Sequence, residues 1–343
     1  MSPSLSPPNR QLVDILSQAQ GEPVSGRLIG RALSISRAAV WKRVESLRKS
    51  GFHIESIPRQ GYVLVAEPDT PSAQAVALEL NQETLSDGLF VEDKFHFFTT
   101  LDSTNEKAGA LARGGALDGT VVVADHQSRG KGRLGRVWDS PAGVNLYFSL
   151  ILRPTIEPRF AAQLTLLTGL ALAETVSSFG ADSVEIKWPN DLLLGGKKLA
   201  GILTEMAVEE SRIQFVVVGV GVNVNVALAD LAPEVSGIAA TLWDHLKKKV
   251  KRSAFLADFL NRFRVWYRHY LADGFAPIRT TWLQRSRIAG RRVQVNLVAD
   301  SFTAFAVDLD SEGFLIVKKE ESGQETRVLA GDVMLLDASD CSS

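Results

Sequence analysis

Arg129-Gly130-Lys131-Gly132-Arg133-Leu134-Gly135-Arg136, followed by Val137-Trp138-Asp139-Ser140-Pro141, is the stretch on which the reading of the fold turns. It contains G-x-G-x-x-G, so a dinucleotide-binding fold has to be tested first. That fold needs a strand before the glycines and a helix opening at the third. The apolar run 120–126 supplies the strand. After the glycines, however, the chain continues with Pro141, Gly143 and a second strand pattern over 145–152, not a helix, so the dinucleotide reading fails. Two readings of the loop remain. Glycines let backbone N–H groups converge on an anion, with arginine adding forked donors and lysine a point charge. Otherwise the segment is a solvated surface turn. Four cations in eight residues should repel one another when the loop is empty, so it is expected to order only on a ligand.

Outward from the loop, strand and helix patterns alternate. Residues 95–100, 120–126, 145–152, 184–188 and 192–194 read as strands, and 198–208 with 212–218 as a meander. Residues 105–113 and 254–271 read as amphipathic helices. The run 160–176 is apolar almost all round and reads as a buried helix. These make a mixed α/β domain over 89–285. From Gly290 the helical signal stops. Val293, Val295 and Leu297 alternate, Asp310-Ser311-Glu312-Gly313 marks a turn, and 314–318 is another strand, so a small β-barrel is expected over 286–343.

Upstream, 1–66 reads as a winged helix-turn-helix. Leu12, Val13, Ile15 and Leu16 give a first helix its apolar stripe, and Leu28, Ile29 and Leu33 do so for a second starting near Ser25. Ser36 is placed to cap the third helix, and Gly51 to end it. Val40, Val44 and Leu47 fall at i, i+4 and i+7 and face inward. Arg37, Trp41, Lys42 and Arg43 are left on other faces. Residues 52–64 alternate like a hairpin with Pro58-Arg59-Gln60-Gly61 at its tip, a wing. Residues 67–88 read as a linker carrying one short helix at 73–80.

The 343 residues carry a net charge of -1, with 45% hydrophobic and 22% charged residues, an ordinary globular balance that does not by itself point to nucleic acid or membrane. The charge is uneven, however. Residues 1–66 hold nine basic and four acidic side chains, which points to nucleic acid at this end. The one cysteine, Cys341, suits a reducing compartment. The first ten residues are unlike a signal peptide, and no uninterrupted apolar run approaches the ~20 residues of a membrane span. A cytoplasmic protein without a membrane partner is expected.

Two further segments carry chemistry. Lys187-Trp188-Pro189-Asn190-Asp191 is followed by Gly195-Gly196-Lys197-Lys198-Leu199-Ala200-Gly201. Gly195-Gly196 fits a hairpin turn. Lys198 then opens an apolar strand, either snorkelling to water or aimed at a carboxylate and a phosphate. Asp102-Ser103-Thr104-Asn105 lies between a strand and a helix, where the hydroxyls either cap the helix or hold a small polar ligand.

In this order and spacing the three segments resemble those of the biotin protein ligases. Ser36-Arg37-Ala38-Ala39-Val40 with Gln60-Gly61-Tyr62 is similar to the DNA-binding domain of the bifunctional members, which also repress the biotin operon. Gly331-Asp332-Val333 extends the match into the terminal domain, an SH3-like barrel in the family. The resemblance implies that ATP and biotin form biotinyl-5′-AMP with Mg²⁺, and that biotin passes to a lysine of a biotin carboxyl carrier protein. It implies that Ser103, Thr104 and Gln127 bind the biotin head group with Gly130 and Gly201. Lys131 and Arg133 would fold over the intermediate, and Lys198 would contact the carboxylate and then the phosphate. Asn223 would approach the adenosine, and Asp191 would help the incoming amine. Lys198, Asp191 and Arg133 are thus the candidate catalytic residues, with no protein metal site. Ser36, Arg37, Trp41, Lys42 and Arg59 would meet operator DNA, with the adenylate as corepressor and inducer of a homodimer. Lys131 stands where many members carry arginine. No aromatic residue after Asn223 falls in place over an adenine, since Trp243 is shifted. The rival expectations are a repressor that only senses ligand, a ligase for lipoate or another acyl acid, and a ligase that has lost DNA binding.

Overall fold

The computed structural model describes residues 7–49, 52–66, 69–286, 288–297, 300–329 and 331–336. At the N-terminus, α1 (Pro7–Gln18), α2 (Gly26–Ala32) and α3 (Arg37–Lys49) precede a hairpin of β1 (His53–Ile57) and β2 (Gly61–Ala66). Leu12, Leu16, Ile29, Val40, Val44, Leu47 and Ile54 make its core. Ser36 caps α3 as expected, its Oγ accepting from Ala39 N–H, and Ser25, where the second helix was expected to start, caps α2 by accepting from Leu28 N–H, both at 3.2 Å. Leu28 departs from its expected stripe and is exposed, because α2 is only seven residues long and Ile29 fills the core position. Gly51 and Cys341 lie outside the described residues.

The stretch read as a linker is mostly structured. It forms α4 (Ala73–Glu79) and α5 (Gln82–Asp87). Val76 of α4 and Leu80 just after it are wholly buried in the core of the large body, while Leu78 packs on the N-terminal core. The short helix expected at 73–80 is present as α4, whereas α5, with six residues, shows too little periodicity to be seen in sequence.

The large body is a seven-stranded sheet in the order β3-β4-β5-β9-β8-β7-β6. Its strands are β3 (Phe95–Leu101), β4 (Thr120–Gln127), β5 (Leu146–Leu152), β6 (Val184–Lys187), β7 (Asp191–Leu194), β8 (Lys197–Glu209) and β9 (Arg212–Val222). Between them run α6 (Thr104–Arg113) and α7 (Ala161–Ser178). After them come α8 (Pro233–Ser236), α9 (Leu242–Leu246), α10 (Arg252–Asp273) and α11 (Ala276–Ser286), of which only α10 was foreseen. The β3–β4 pair is parallel and the other pairs are antiparallel. Gly195 and Gly196 both have positive φ in the β7–β8 turn, as a two-residue hairpin requires. Although α7 is long and apolar enough to span a membrane, most of it is buried in this core.

Strand alternation sorts the faces. Val216, Val218, Val220 and Val222 of β9 join the core beneath α7 and α10. Phe215 and Val217 join a smaller core with Ala108 and Ala112 of α6. Gly219 and Gly221 continue that second face, and the absent side chains leave a hollow in it. The C-terminal unit is a five-stranded antiparallel sheet, β13-β12-β11-β10-β14, built from β10 (Arg292–Asn296), β11 (Ser301–Leu309), β12 (Leu315–Lys319), β13 (Glu325–Val328) and β14 (Asp332–Leu335).

Candidate active site

The hollow is the end of a cavity of about 950 Å³, of the size that small-molecule sites occupy. Its polar floor comes from the start of α6 and the end of β4. Thr104 N–H donates to Gln127 Oε1 at 2.8 Å, and Gln127 Nε2 donates to Ser140 Oγ at 3.0 Å. Ser103, Thr104 and Gln127 are all buried. Ser103 occupies the N-cap position of α6, but its hydroxyl makes no capping bond, so the helix-cap reading fails for that side chain. Glycine is required at two places here. A Cβ on Gly219 would sit 1.9 Å from Asn105 Oδ1, and one on Gly221 would sit 2.6 Å from the Trp138 ring. Gly130 is also closed in, with a built Cβ 2.3 Å from Trp138 O.

At the middle of the cavity Lys198 Nζ lies 2.8 Å from Asp191 Oδ1. The ammonium also lies over the Trp138 ring, 5.4 Å from its centroid, where the π face favours a cation. The β7–β8 hairpin makes this pairing, because Asp191 stands opposite Gly201 in the ladder and Lys198 opposite Leu193. The glycine leaves space for the lysine to fold back. Lys198 is also fixed by its backbone, donating N–H to Ile238 O and accepting from Ala240 N–H, both at 2.8 Å. A strand-edge lysine reaching into bulk water does not describe this side chain, which is only 34% exposed.

Beyond Lys198 the lining turns apolar, with Leu231, Val235, Ile238 and Ala239. Asn223 stands beside them, donating from Nδ2 to Ala240 O at 3.1 Å. Asn145 braces this end by accepting Val224 N–H at 2.9 Å. Arg252, 1% exposed, supports Asn145 from behind by donating to its carbonyl at 2.8 Å while pairing with Asp125. Trp243 is not part of the lining; its backbone N–H donates to Val224 O at 2.8 Å.

The glycine-rich loop does not behave as its charge suggested. It contains a short 3-10 turn at Arg133–Gly135, and Lys131 bridges Val137. Each cation has a partner. Arg129 pairs with Asp102 at 2.5 Å, Lys131 with Glu106 at 2.7 Å and Arg136 with Asp332 at 2.8 Å. Arg133 donates to Asn190 Oδ1 at 3.1 Å and to Gly331 O at 3.5 Å. Carboxylates from α6, the β3–α6 junction and β14 converge on the loop from outside, so protein groups offset the charges of Arg129, Lys131 and Arg136. The shift at Lys131 is upward, set by its bond to Glu106. Arg133 is instead drawn downward by burial, against the pull of Asp332 and Asp191. It is the loop cation that most lacks a counter-charge. Leu134 and Val137 are left exposed.

Sequence reasoning foresaw Ser103, Thr104, Gln127, Gly130, Lys131, Arg133, Asp191, Lys198, Gly201 and Asn223, and the fold gathers them around this one cavity and loop. It missed Trp138, Asn190, the apolar 231–239 segment and the C-terminal residues Arg291, Asp332 and Met334, which also line the cavity. Trp138 and Asn190 lay inside motifs already singled out. Asp332 lay in the Gly331-Asp332-Val333 segment, which had been given no role in the site, and the others carried no local signal.

On the N-terminal domain, Arg37, Trp41, Lys42 and Arg59 are exposed, Trp41 by 55%. The Ser36 hydroxyl is committed to its cap. Arg48 is structural, reaching Ile54 O and Ser56 Oγ and so tying α3 to the wing.

A model of the biotin/lipoate A/B protein ligase family matches residues 98–223, and an HTH domain model matches 9–63. The biotin protein ligase C-terminal domain matches 288–336. The bifunctional ligase/repressor BirA of Bacillus spizizenii is 37% identical over 312 residues, which is 91% of this chain and 94% of that protein. The chain belongs to the biotin protein ligases. Escherichia coli BirA, also a bifunctional ligase/repressor, is 29% identical over 93% of this chain and 95% of its own length. Among solved structures, the biotin protein ligase of Aquifex aeolicus in complex with biotin and ATP superposes with a TM-score of 0.60 at 28% identity. The superposition covers 71% of this chain and 99% of that one. The family and its three parts, helix-turn-helix, ligase domain and small antiparallel sheet domain, are therefore as the sequence implied.

Proposed function

We propose that this biotin protein ligase joins biotin to ATP as biotinyl-5′-AMP and then biotinylates a lysine of a biotin carboxyl carrier protein. The observation that carries the reading is the Lys198–Asp191 pair at 2.8 Å, set between a polar floor and an apolar slot and overlain by a basic loop. In the first step a biotin carboxylate oxygen attacks the α-phosphorus of ATP and pyrophosphate leaves. Two anions must approach, and Lys198 with Arg133 and Lys131 would offset their repulsion in a partly desolvated site. Biotin would lie over Ser103, Thr104 and Gln127, against the bare backbone of Gly130 and Gly201. The adenosine would enter the slot of Leu231, Val235, Ile238 and Ala239 beside Asn223. In the second step the carrier amine attacks the acyl carbon, AMP leaves, and the amine gives up a proton. Asp191 is the carboxylate at hand for it once the phosphate has claimed Lys198.

Among the described residues no three or more His, Cys, Asp or Glu side chains gather as a metal site. Magnesium fits this chain only as a passenger on the nucleotide phosphates, where it would neutralise charge. The loop's part is to keep water from the mixed anhydride.

The same chain would repress transcription, with α3 in the major groove and the wing at the backbone. Arg37, Trp41, Lys42 and Arg59 would face operator DNA, with Ser36 fixing the helix start. Biotinyl-AMP would act as corepressor by favouring a homodimer, since one winged domain reads one half-site. The sites described call for a cytoplasmic protein, where ATP, carrier and DNA meet.

The test is incubation of the full chain with ATP, magnesium, labelled biotin and a carrier domain. Label on the carrier that depends on ATP and on its lysine is expected; its absence overturns the ligase reading. Sedimentation of the same protein alone, with biotin, and with biotin plus MgATP should show dimer chiefly in the third sample. Equal dimer in all three would remove the corepressor coupling.

A further inference from the structure

Beneath the polar floor runs a chain of buried hydrogen bonds with a forced direction. Asn105, 5% exposed, places its Nδ2 2.8 Å from Glu205 Oε2 and 3.1 Å from Leu203 O. A carboxylate and a carbonyl only accept, so the amide's NH₂ must face them and its Oδ1 must face the other way. Ser149, wholly buried on β5, has its Oγ 2.7 Å from that Oδ1 and 2.8 Å from Thr104 Oγ1. A hydroxyl has one proton. Asn105 Oδ1 can only accept, so the Ser149 proton goes there, and Ser149 must then receive the proton of Thr104. The other acceptor for that proton, Gln127 Oε1, is farther at 3.2 Å and already takes Thr104 N–H. By either route the Thr104 proton is spent inside the protein. Thr104 lines the cavity, and toward a ligand it can offer only lone pairs.

The arrangement is built in rather than incidental. Ser149 and Gly219 are direct partners in the β5–β9 ladder. Only a residue without a Cβ at 219 leaves space for Asn105 Oδ1. The start of α6, the middle of β5, the glycine of β9 and the middle of β8 are thus fitted to one another around a single proton path.

We infer that Asn105 and Ser149 are positioning residues that hold the Thr104 hydroxyl as an obligate hydrogen-bond acceptor, and so select an acyl acid whose head group presents an N–H at that point. This rests on, and sharpens, the biotin reading. A cyclic urea supplies such an N–H. A dithiolane or plain alkyl head supplies none and would leave the buried acceptor unpaired, which a site of this kind penalises strongly. The match to a family spanning biotin and lipoate ligases does not by itself make that distinction.

The test compares biotin with its two cyclic carbamate analogues, in which one or the other ring N–H is replaced by oxygen. Biotin-dependent ATP–pyrophosphate exchange is measured on the full chain, on Ser149→Ala and on Asn105→Ala, with KM and kcat separated. In the unaltered protein one of the two carbamates should be disfavoured about tenfold or more in kcat/KM, mostly through KM. In both variants the Thr104 proton loses its forced partner, leaving only the longer contact to Gln127 Oε1 at 3.2 Å, so the hydroxyl can turn and donate toward the ligand. Binding of biotin should weaken more than binding of that carbamate, so the preference contracts to roughly two- or threefold. A role in packing alone would lower both ligands together and leave the ratio unchanged, and that result overturns the inference. Ser149→Ala removes a single oxygen and reads the ratio even where Asn105→Ala fails to fold. Absence of biotin-driven exchange in the unaltered protein would instead sink the ligase reading, and this inference with it.

Discussion

Asp332, at the first position of β14, holds Arg136 of the glycine-rich loop at 2.8 Å and so ties the C-terminal sheet to the mouth of the cavity. The neighbouring carbonyl of Gly331 takes a second loop cation, Arg133. Burial works upward on the Asp332 carboxyl, but the Arg136 bond and the charges of Lys187, Arg136 and Arg133 outweigh it and hold the group below the usual carboxylate range. A carboxyl with a depressed folded value stabilises the fold above its unfolded value of about 3.9, and that support fades as pH falls through the lower folded value. Loop anchoring should therefore be flat with pH through neutrality and weaken only below about pH 4. Asp332→Asn should show the weakened state at neutral pH. Hydrogen exchange of residues 129–137 measures both, with faster exchange expected in the variant. Unchanged protection in Asp332→Asn would mean that the loop is held by its other pairs.

Lys198→Ala should slow adenylation by ~10²–10³, because it removes the cation at the centre of the cavity. Its side chain is partly exposed and lies at the cavity wall rather than in the core, so far-UV circular dichroism should be unchanged. Biotin-dependent ATP–pyrophosphate exchange isolates this half-reaction. Exchange near the unaltered rate would exclude Lys198 from it.

Arg133→Gly should release the adenylate early. Arg133 bridges the loop to Asn190 and Gly331, and burial leaves it short of a counter-charge that a phosphate would supply. The expected outcome is labelling of a bystander such as albumin several-fold above that by the unaltered protein. Equal, low labelling at normal adenylate synthesis would count against retention by Arg133.

Arg37→Ala combined with Lys42→Ala should weaken DNA binding and flatten its salt dependence by roughly one unit of log–log slope per lost phosphate contact. Both side chains are exposed on α3, away from the core formed by Val40, Val44 and Leu47. Carrier biotinylation should stay within about twofold of the unaltered rate, because neither residue lines the cavity. Normal binding to biotin-gene promoter DNA by the double variant would show that another surface reads it.

What the sequence determined by itself was local. The cap at Ser36, the Gly195-Gly196 turn and the inward stripe of α3 are decided by residues within a few positions of one another, so pattern and propensity reveal them. The three chemical segments were legible for the same reason, since each is a short run of unusual composition. Tertiary structure decided what depends on distant partners. The loop's four cations read as self-repelling because Asp102, Glu106, Asn190 and Asp332 are carried to them by other elements, the last nearly two hundred residues away. Of residues 67–88 only the helix at 73–80 was legible; α5 was not, because its six residues carry little pattern of their own and Asp87 is held from outside by Arg264 and Arg268 of α10. Ser149 and Gly219 looked like ordinary strand positions. Their importance arises only where β5, β9 and α6 meet, because the direction of a hydrogen bond is a property of a closed set of donors and acceptors and not of any one residue in it.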